Sequence, residues 1–484
     1  MRKGFLLKSL LVVALTASLS GCLSVADQLE HQQKQVARGA YGEAYTEASQ
    51  RAAEENADSC FWQGEAGALA LMKGSPAEAI PALGAADNGF NDVERRYYGA
   101  RAVDTAKALA VNDCVLPYAP EGLDRVFTNL YRGIAYGVQR RPDAMRVELN
   151  RARQRQYEWF WKCSETIADQ KEEVLSQGLS SAQKSQMDEV YQGFASTNNV
   201  QRLDALHVRA LIEGTIDARR NFGALKGVGN AYAAHLTGVV RWCAQDASLN
   251  DLAMATALAP EQEVVRADYQ ACQQGNVPQG RVWLYVEDGL APKRIERPYS
   301  IPLPALSGTH GVFTASFNVP ALVNRAAASE AYAVNGYALQ PLTNVEALAR
   351  DQFDRAYLTI LMRQIVRTFL KVAAQEGGAA AIRASDSDAS EAIALCYELG
   401  MMIYDVSTNA ADVRCADLLP KTVWMTALPR PKNGVLQLTP QGGAPVTVSL
   451  VPQGNVLVWV RNPVRGGKMT ILVVDLDQKE GNSK

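Results

Sequence analysis

The stretch Gln274-Gly275-Asn276-Val277-Pro278-Gln279-Gly280-Arg281-Val282-Trp283-Leu284-Tyr285-Val286-Glu287-Asp288-Gly289 is where the chain changes period. Before it, apolar residues recur at spacings of three and four among Ala, Glu, Gln, Arg and Leu, the pattern of amphipathic helices. After it the period is two, as in a strand, and Asp288-Gly289 marks a turn. The predicted fold is therefore α+β in two domains. A signal peptide over 1–21 precedes a helical domain over 22–275 and a mainly antiparallel, β-rich domain over 276–484.

Upstream, the helices repeat. Gly67, Ala79, Leu83 and Ala86 flank the turn Gly74-Ser75-Pro76 at the offsets of the tetratricopeptide repeat, in which small residues let paired helices approach closely. Gly133, Tyr136, Leu149 and Ala152 repeat the scheme around Arg140-Arg141-Pro142-Asp143, although Met145 takes the place of a small residue. Gly238, Met254, Ala257 and Pro260 form a weaker copy, and Tyr97, Tyr98, Ala102 and Leu109 fit a degenerate unit between the first two. The expectation is a tetratricopeptide-like helical solenoid with a free concave face suited to peptides or protein segments. Arg125, Arg132, Arg140, Arg141, Arg146, Arg151, Arg153 and Arg155 mark a charged strip. Because Asp124, Asp143, Glu148 and Glu158 are interspersed, it reads as a solvated face with local ion pairs before it reads as an anion site.

Downstream, Val312 to Val319, Ala331 to Leu339, Val435 to Leu438, Val446 to Val451, Val456 to Val460 and Met469 to Val474 read as strands. Asn433-Gly434, Gly442-Gly443 and Gly466-Gly467 are turn formers, which makes the tail an antiparallel meander. One long helix from about Asn344 to Gln375 interrupts the sheet. Its stripe of Phe353, Tyr357, Leu361, Ile365, Thr368 and Val372 is a packing face. Gly377 to Ala389 has no period and reads as a loop.

At 484 residues and 48% hydrophobic, the chain can bury real cores. Its net charge is −2, or −5 once Arg2, Lys3 and Lys8 are removed and 46 cations face 51 anions. A nucleic-acid partner is disfavoured, since such binding draws on a cationic surface. Arg2, Lys3 and Lys8 precede the apolar run Leu10 to Leu15 and the quartet Leu19-Ser20-Gly21-Cys22, the layout of an export signal too short to span a bilayer. The quartet resembles the bacterial lipobox. Cys22 then becomes the acylated first residue of the mature protein, and Leu23 after it favours the outer membrane, facing the periplasm.

Cys60, Cys114, Cys163, Cys243, Cys272, Cys396 and Cys415 contain no CxxC pair, and His31, His207, His235 and His310 are scattered, so no metal site or cofactor is expected. Small buried hydrophobes account for the cysteines, with a Cys243–Cys272 bridge across a hairpin as the alternative.

Four sets of short segments carry a resemblance: Val111-Asn112-Asp113 with Pro117-Tyr118; Ala144 with Val147 to Ala152; Val286-Glu287-Asp288-Gly289-Leu290-Ala291-Pro292; and Ala411-Asp412-Val413-Arg414 with Leu419-Pro420. Together they resemble a family of tetratricopeptide-containing bacterial outer-membrane lipoproteins. That resemblance implies lipidation, helical repeats ahead of a β-rich domain and a periplasmic setting, and it implies no activity. Ala416 departs from the family pattern, where a Trp is expected.

The leading expectation is a lipid-anchored periplasmic scaffold or adaptor, not an enzyme. It binds envelope protein partners through its helical-repeat surface and the membrane through its anchor, and it fits an accessory role in envelope assembly. The rivals are an envelope hydrolase using paired carboxylates, Glu287 with Asp288 or Asp386 with Asp388, and a small-ligand sensor with a pocket between the domains. Ser307-Gly308-Thr309-His310 lacks the nucleophile elbow. A truncation near Gln274 is the natural way to ask which half holds a partner.

Overall fold

The computed structural model describes residues 25–99, 117–163, 229–304, 312–354, 356, 357, 360 and 411–478. Nine helices come first among these residues. They are α1 (residues 25–37), α2 (Tyr41–Ala52), α3 (Ser59–Met72), α4 (Pro76–Gly99), α5 (Gly122–Val138), α6 (Pro142–Cys163), α7 (Ala231–Cys243), α8 (Leu249–Leu258) and α9 (Glu263–Gln273). Helices α4 and α6 open on Pro, whose fixed φ suits a first turn. Asp124 caps the start of α5 by accepting the Glu121 amide at 2.7 Å, and the Asn230 side chain caps α7 through the Ala233 amide at 3.1 Å.

Consecutive helices pack as antiparallel neighbours in two rows, α3, α5 and α7 inside and α4, α6 and α8 outside. The small residues named above are the contact points. A Cβ on Gly67 would collide with Leu83, one on Gly238 would come within 2.7 Å of Leu252, and one on Gly133 within 3.1 Å of Leu149. In the third hairpin Leu252, rather than Met254, meets the glycine, two residues earlier than the repeat offset places it. Met254 instead takes a hydrogen bond from Gln156 of α6 at 3.6 Å. Tyr97 and Tyr98 have no described side chains, and Ala102 and Leu109 lie outside the described residues.

The β-rich part follows α9. Strands β1 (Arg281–Asp288), β6 (Gln340–Asn344), β7 (Thr422–Pro429), β10 (Val456–Asn462) and β11 (Thr470–Asp475) form one sheet in the order β11-β10-β1-β7-β6. β2 (Lys293–Pro304) and β3 (Val312–Val323) form a separate ribbon. β4 (Tyr332–Val334), β5 (Tyr337–Ala338), β8 (Val435–Pro440) and β9 (Val446–Ser449) make a third sheet, β5-β4-β8-β9. The tail is thus not a meander: β8 and β9 belong to one sheet, while β10 and β11 return to the other. All pairs are antiparallel except β1 with β10, which run parallel in the register Tyr285↔Trp459 and Glu287↔Arg461. The long helix starts directly after β6, with Asn344 Oδ1 accepting the Ala347 amide at 3.0 Å. Phe353 and Tyr357 of its stripe are buried. Leu361, Ile365, Thr368, Val372 and the segment from Gly377 to Ala389 lie outside the described residues.

Period two now explains the layering. From β1 and β10, Trp283, Tyr285, Leu457 and Trp459 point toward the inner helices and join one core with Phe127, Tyr131 and Tyr232. Val282, Leu284, Val286, Val456, Val458 and Val460 point the other way, onto Tyr332, Val334, Leu436 and Leu438 of the third sheet. A fully buried Leu or Phe side chain contributes roughly 1.5–3 kcal/mol, so both faces of the central sheet stabilise the fold. The first core runs across the 275/276 boundary between the helical and β-rich parts. Instead of an open concave face, the inner helical row has the chain's own sheet packed on it.

Candidate functional site

Charged residues inside apolar elements converge where the inner helices meet the sheet. Glu287 near the end of β1 is fully buried. Its carboxylate accepts Tyr131 Oη from α5 at 2.8 Å, Tyr232 Oη from α7 at 3.1 Å and Trp459 Nε1 from β10 at 2.8 Å, with Arg461 Nε 3.8 Å away. Burial pushes this carboxyl above the usual range although Arg461 and the three donors oppose the shift. Asp288, one residue on, projects from the opposite face. It accepts the amides of Ala328 and Ser329 at 3.3 and 2.9 Å and Tyr332 Oη at 2.5 Å. Burial raises its carboxyl too. The two acids read from sequence as an acid–base pair are therefore separated by the sheet, each saturated by donors that hold elements together. Asp386, Asp388 and the segment from Ser307 to His310 lie outside the described residues.

A second knot locks α7 and α9 to β1. His235 Nδ1 is 2.8 Å from Tyr285 Oη, and its Nε2 is 3.1 Å from Asp268 Oδ2. Trp283 Nε1 donates to the same oxygen at 2.8 Å, and Arg281 reaches Asp268 Oδ1 at 2.7 Å. Both ring nitrogens of His235 are engaged, and the ring is fully buried. His31 lies on the surface 3.4 Å from Glu47. His207 and His310 lie outside the described residues.

The third cluster surrounds residues 411–420. Arg461 donates to the carbonyls of Glu287, Gly289 and Leu418 at 3.0, 2.7 and 2.8 Å, which ties β10 to both loops. Arg414 holds Asp58 and Asp412, and Arg294 holds Glu121. Burial pushes the Asp412 carboxyl up, but the Arg414 guanidinium outweighs it and the net shift is downward. Three other acids go the opposite way. Glu65 of α3, beside Gln32 at 2.5 Å, is raised well above its ordinary value by burial and by the Asp417 carboxylate. Burial raises Asp417 against Arg325, and it raises Asp124 beside Tyr118 Oη at 2.5 Å. Glu65, Asp124, Tyr118 and Ala416 line a cavity of about 30 Å³, room for about one water.

Segments 117–118, 286–292, 411–414 and 419–421 meet around this seam. Ala291 N donates to Leu419 O at 2.7 Å, Lys421 N to Asp288 O at 2.8 Å, and Arg414 stacks 5.8 Å from the Tyr118 ring. Sequence reasoning missed Glu65, Asp268, Asp417 and Arg461, quoted Arg414 without a role, and put Asp124 on a solvated face, whereas it is buried against Tyr118 and the start of α5. The signal for Arg461 is a charge inside the apolar run Val456-Leu-Val-Trp-Val.

The outer helical row is different. Arg125 pairs with Glu94, Arg132 and Arg151 with Glu148 at 3.1 and 2.7 Å, Arg153 with Asp251 at 3.2 Å, and Arg155 with Glu158 at 2.9 Å. Arg146 pairs with Asp143, and Arg141 lies over the Tyr136 ring at 4.6 Å. The Arg-rich strip is ion-paired, but only Arg146, Arg151 and Arg155 pair locally; Arg125 is buried rather than solvated, and the pairs of Arg125, Arg132 and Arg153 tie α4, α5, α6 and α8 together. Between α4 and α6 a groove of about 220 Å³ is lined by Asp87, Asn88, Asn91, Arg151, Gln154 and Arg155. A shallower depression of about 490 Å³ continues past Asn150, Arg153, Tyr157 and Glu158. Tyr157 and Val147 of α6 are each 48% exposed.

Cys60, Cys243, Cys272 and Cys415 are free thiols, so Cys243 and Cys272 are not bridged; the Cys272 sulfur is 3.3 Å from Ser248 Oγ. Cys60 is buried and its thiol is pushed up to about 11. Cys22 lies outside the described residues. Among the described residues no group of three or more His, Cys, Asp and Glu side chains is placed to hold a metal, and no helix is long and apolar enough to cross a membrane. No protein family, curated protein or solved structure matches the chain.

Proposed function

We propose that this protein is a lipid-anchored adaptor on the periplasmic face of the outer membrane, tethered through Cys22, which takes an envelope protein partner on the outward face of its helical layer. The observation that carries the reading is the groove between α4 and α6, continued past the half-exposed Tyr157. It combines ion-paired arginines, three side-chain amides and an exposed aromatic, the composition from which interface anchors are drawn. The partner surface thereby moves from the concave side of the helices, where the protein's own sheet packs, to the outer row.

A chain cut near Gln274 does not test this. It would strip β1 and β10 from the inner row and leave Phe127, Tyr131 and Tyr232 without the core they share with Trp283 and Trp459. The test is affinity recovery of intact acylated protein from envelope extracts, with wild type beside the double variant Tyr157→Ser, Arg151→Glu. The reading expects a wild-type partner that the variant loses while keeping its thermal midpoint. Identical recoveries from both would overturn it.

A further inference from the structure

We infer that the folded body rests directly on the bilayer surface, with the first turn of α1 at headgroup level, instead of hanging from a flexible stalk. This rests on the lipid anchor at Cys22 proposed above. The argument is one of length. Val25 is 8% exposed and belongs to the main core, and Leu29, Gln32 and Val36 continue its stripe with 5%, 1% and 0% exposure. Three polar contacts also hold α1 in place: Gln32 Nε2 donates to Glu65 at 2.5 Å, Gln33 Nε2 to Asp417 at 2.5 Å, and Lys293 Nζ to Gln33 at 3.2 Å. The helix is part of the body, fixed to α3, to the 411–420 segment and to the foot of the β2–β3 ribbon.

From Cys22 to Val25 is a path of three Cα–Cα steps. Whatever its conformation, that path spans at most about 11 Å. An acyl chain on the Cys22 sulfur places that residue at the lipid–water boundary, where the headgroup layer of one leaflet is itself about 5–7 Å deep. Even at full extension only about 4–6 Å of reach remains beyond the headgroup layer, a water layer or two, so the first turn of α1 stays at the headgroup surface. A flexible stalk of about 20 residues would give a root-mean-square reach of about 25 Å.

The side chains brought to the lipid are the exposed ones on the first turns of α1, Asp27 and Glu30, the latter paired with Lys34 at 2.7 Å. This short stretch carries no cationic excess. Contact is therefore enforced by the covalent tether and not by attraction to anionic lipid, and it persists at high salt, where charge interactions are screened within about 3 Å.

The experiment uses full-length acylated protein in vesicles of phosphatidylethanolamine and phosphatidylglycerol. A photoreactive amino acid replaces Asp27 in one preparation. In the other it replaces Tyr337, which is 52% exposed on the third sheet, beyond the central sheet from α1. The expected result is lipid adducts at position 27, unchanged in 1 M salt, several-fold above those at 337. A flexible insert of about 20 Gly and Ser residues between Ser24 and Val25 should abolish the difference. Equal adducts at both positions, or adducts at 27 that survive the insert, overturn the inference while leaving the anchor standing if the mass of the product shows acylated Cys22. An unmodified Cys22 overturns both.

Discussion

The inward and outward sides of the helical layer hold their charges in different surroundings. Outward, Arg146, Arg151 and Arg155 of α6 meet acids one turn away in partly exposed pairs, which individually add little, while Arg125, Arg132 and Arg153 reach acids on neighbouring helices and join helix to helix. Inward, Glu287, Asp268 and Asp417 are buried, and each gathers donors from several chain-distant elements. Local charge partners decorate a helix surface, whereas chain-distant ones specify which helix meets which strand.

The largest expected effect lies inward. Glu287→Ala leaves Tyr131, Tyr232 and Trp459 without their acceptor and Arg461 buried without its carboxylate. Loss of one partner of such a set costs about 3–5 kcal/mol, measurable as a fall in the urea midpoint. A variant as stable as wild type would break the comparison.

Next come the hairpin contacts. Gly67→Ala and Gly238→Ala should each cost about 1–3 kcal/mol through overpacking against Leu83 and Leu252. Gly133→Ala, with 3.1 Å to Leu149, should be close to neutral, because the helix propensity gained offsets the tighter contact.

The third prediction concerns pH. Burial holds Glu65, Asp417 and Glu287 above the carboxylate range in the folded state, while in the unfolded chain such groups titrate at about 4. Between the unfolded and folded values the native state binds more protons, so stability falls as pH rises through that window. The urea midpoint should therefore be higher at pH 5.5 than at pH 8, and Glu65→Gln should flatten the difference. Asp412, whose carboxyl is lowered, acts in the opposite sense only in more acidic solution. The smallest effect is outward: Arg146→Ala, which breaks a surface pair with Asp143, should change stability by less than about 0.5 kcal/mol.

Much of this was legible in the sequence. The β-branched runs of β1, β8, β10 and β11 announce themselves, as do the helix pairs with Gly and Leu at matching offsets. β2 was hidden because Pro298, Pro302 and Pro304 argue against a strand, which its place in a two-stranded ribbon permits. β7, Thr422-Val-Trp-Met-Thr-Ala-Leu-Pro, mixes strand formers with Met, Ala and Leu and gives no clean signal. The pairing of β1 with β10 depends on contacts between residues far apart in the chain, which no local window contains. At the site, alternation already required Glu287 and Asp288 to point to opposite faces, so the split between them was written in the strand. Glu65 and Asp417 were not readable, since their partners Gln32, Gln33 and Arg325 lie in distant parts of the chain.

The parallel neighbour of β1 has a consequence for biogenesis. A chain made from its N-terminus delivers its helices and then β1 before β10, the strand that covers one flank of β1, has emerged. During that interval the aromatic face of Trp283 and Tyr285 has no lateral partner on that side, and a product terminated early never acquires one. Maturation of the whole molecule therefore waits on its last few dozen residues, and any loss there turns the earlier portion into a substrate for proteolysis or for holding chaperones.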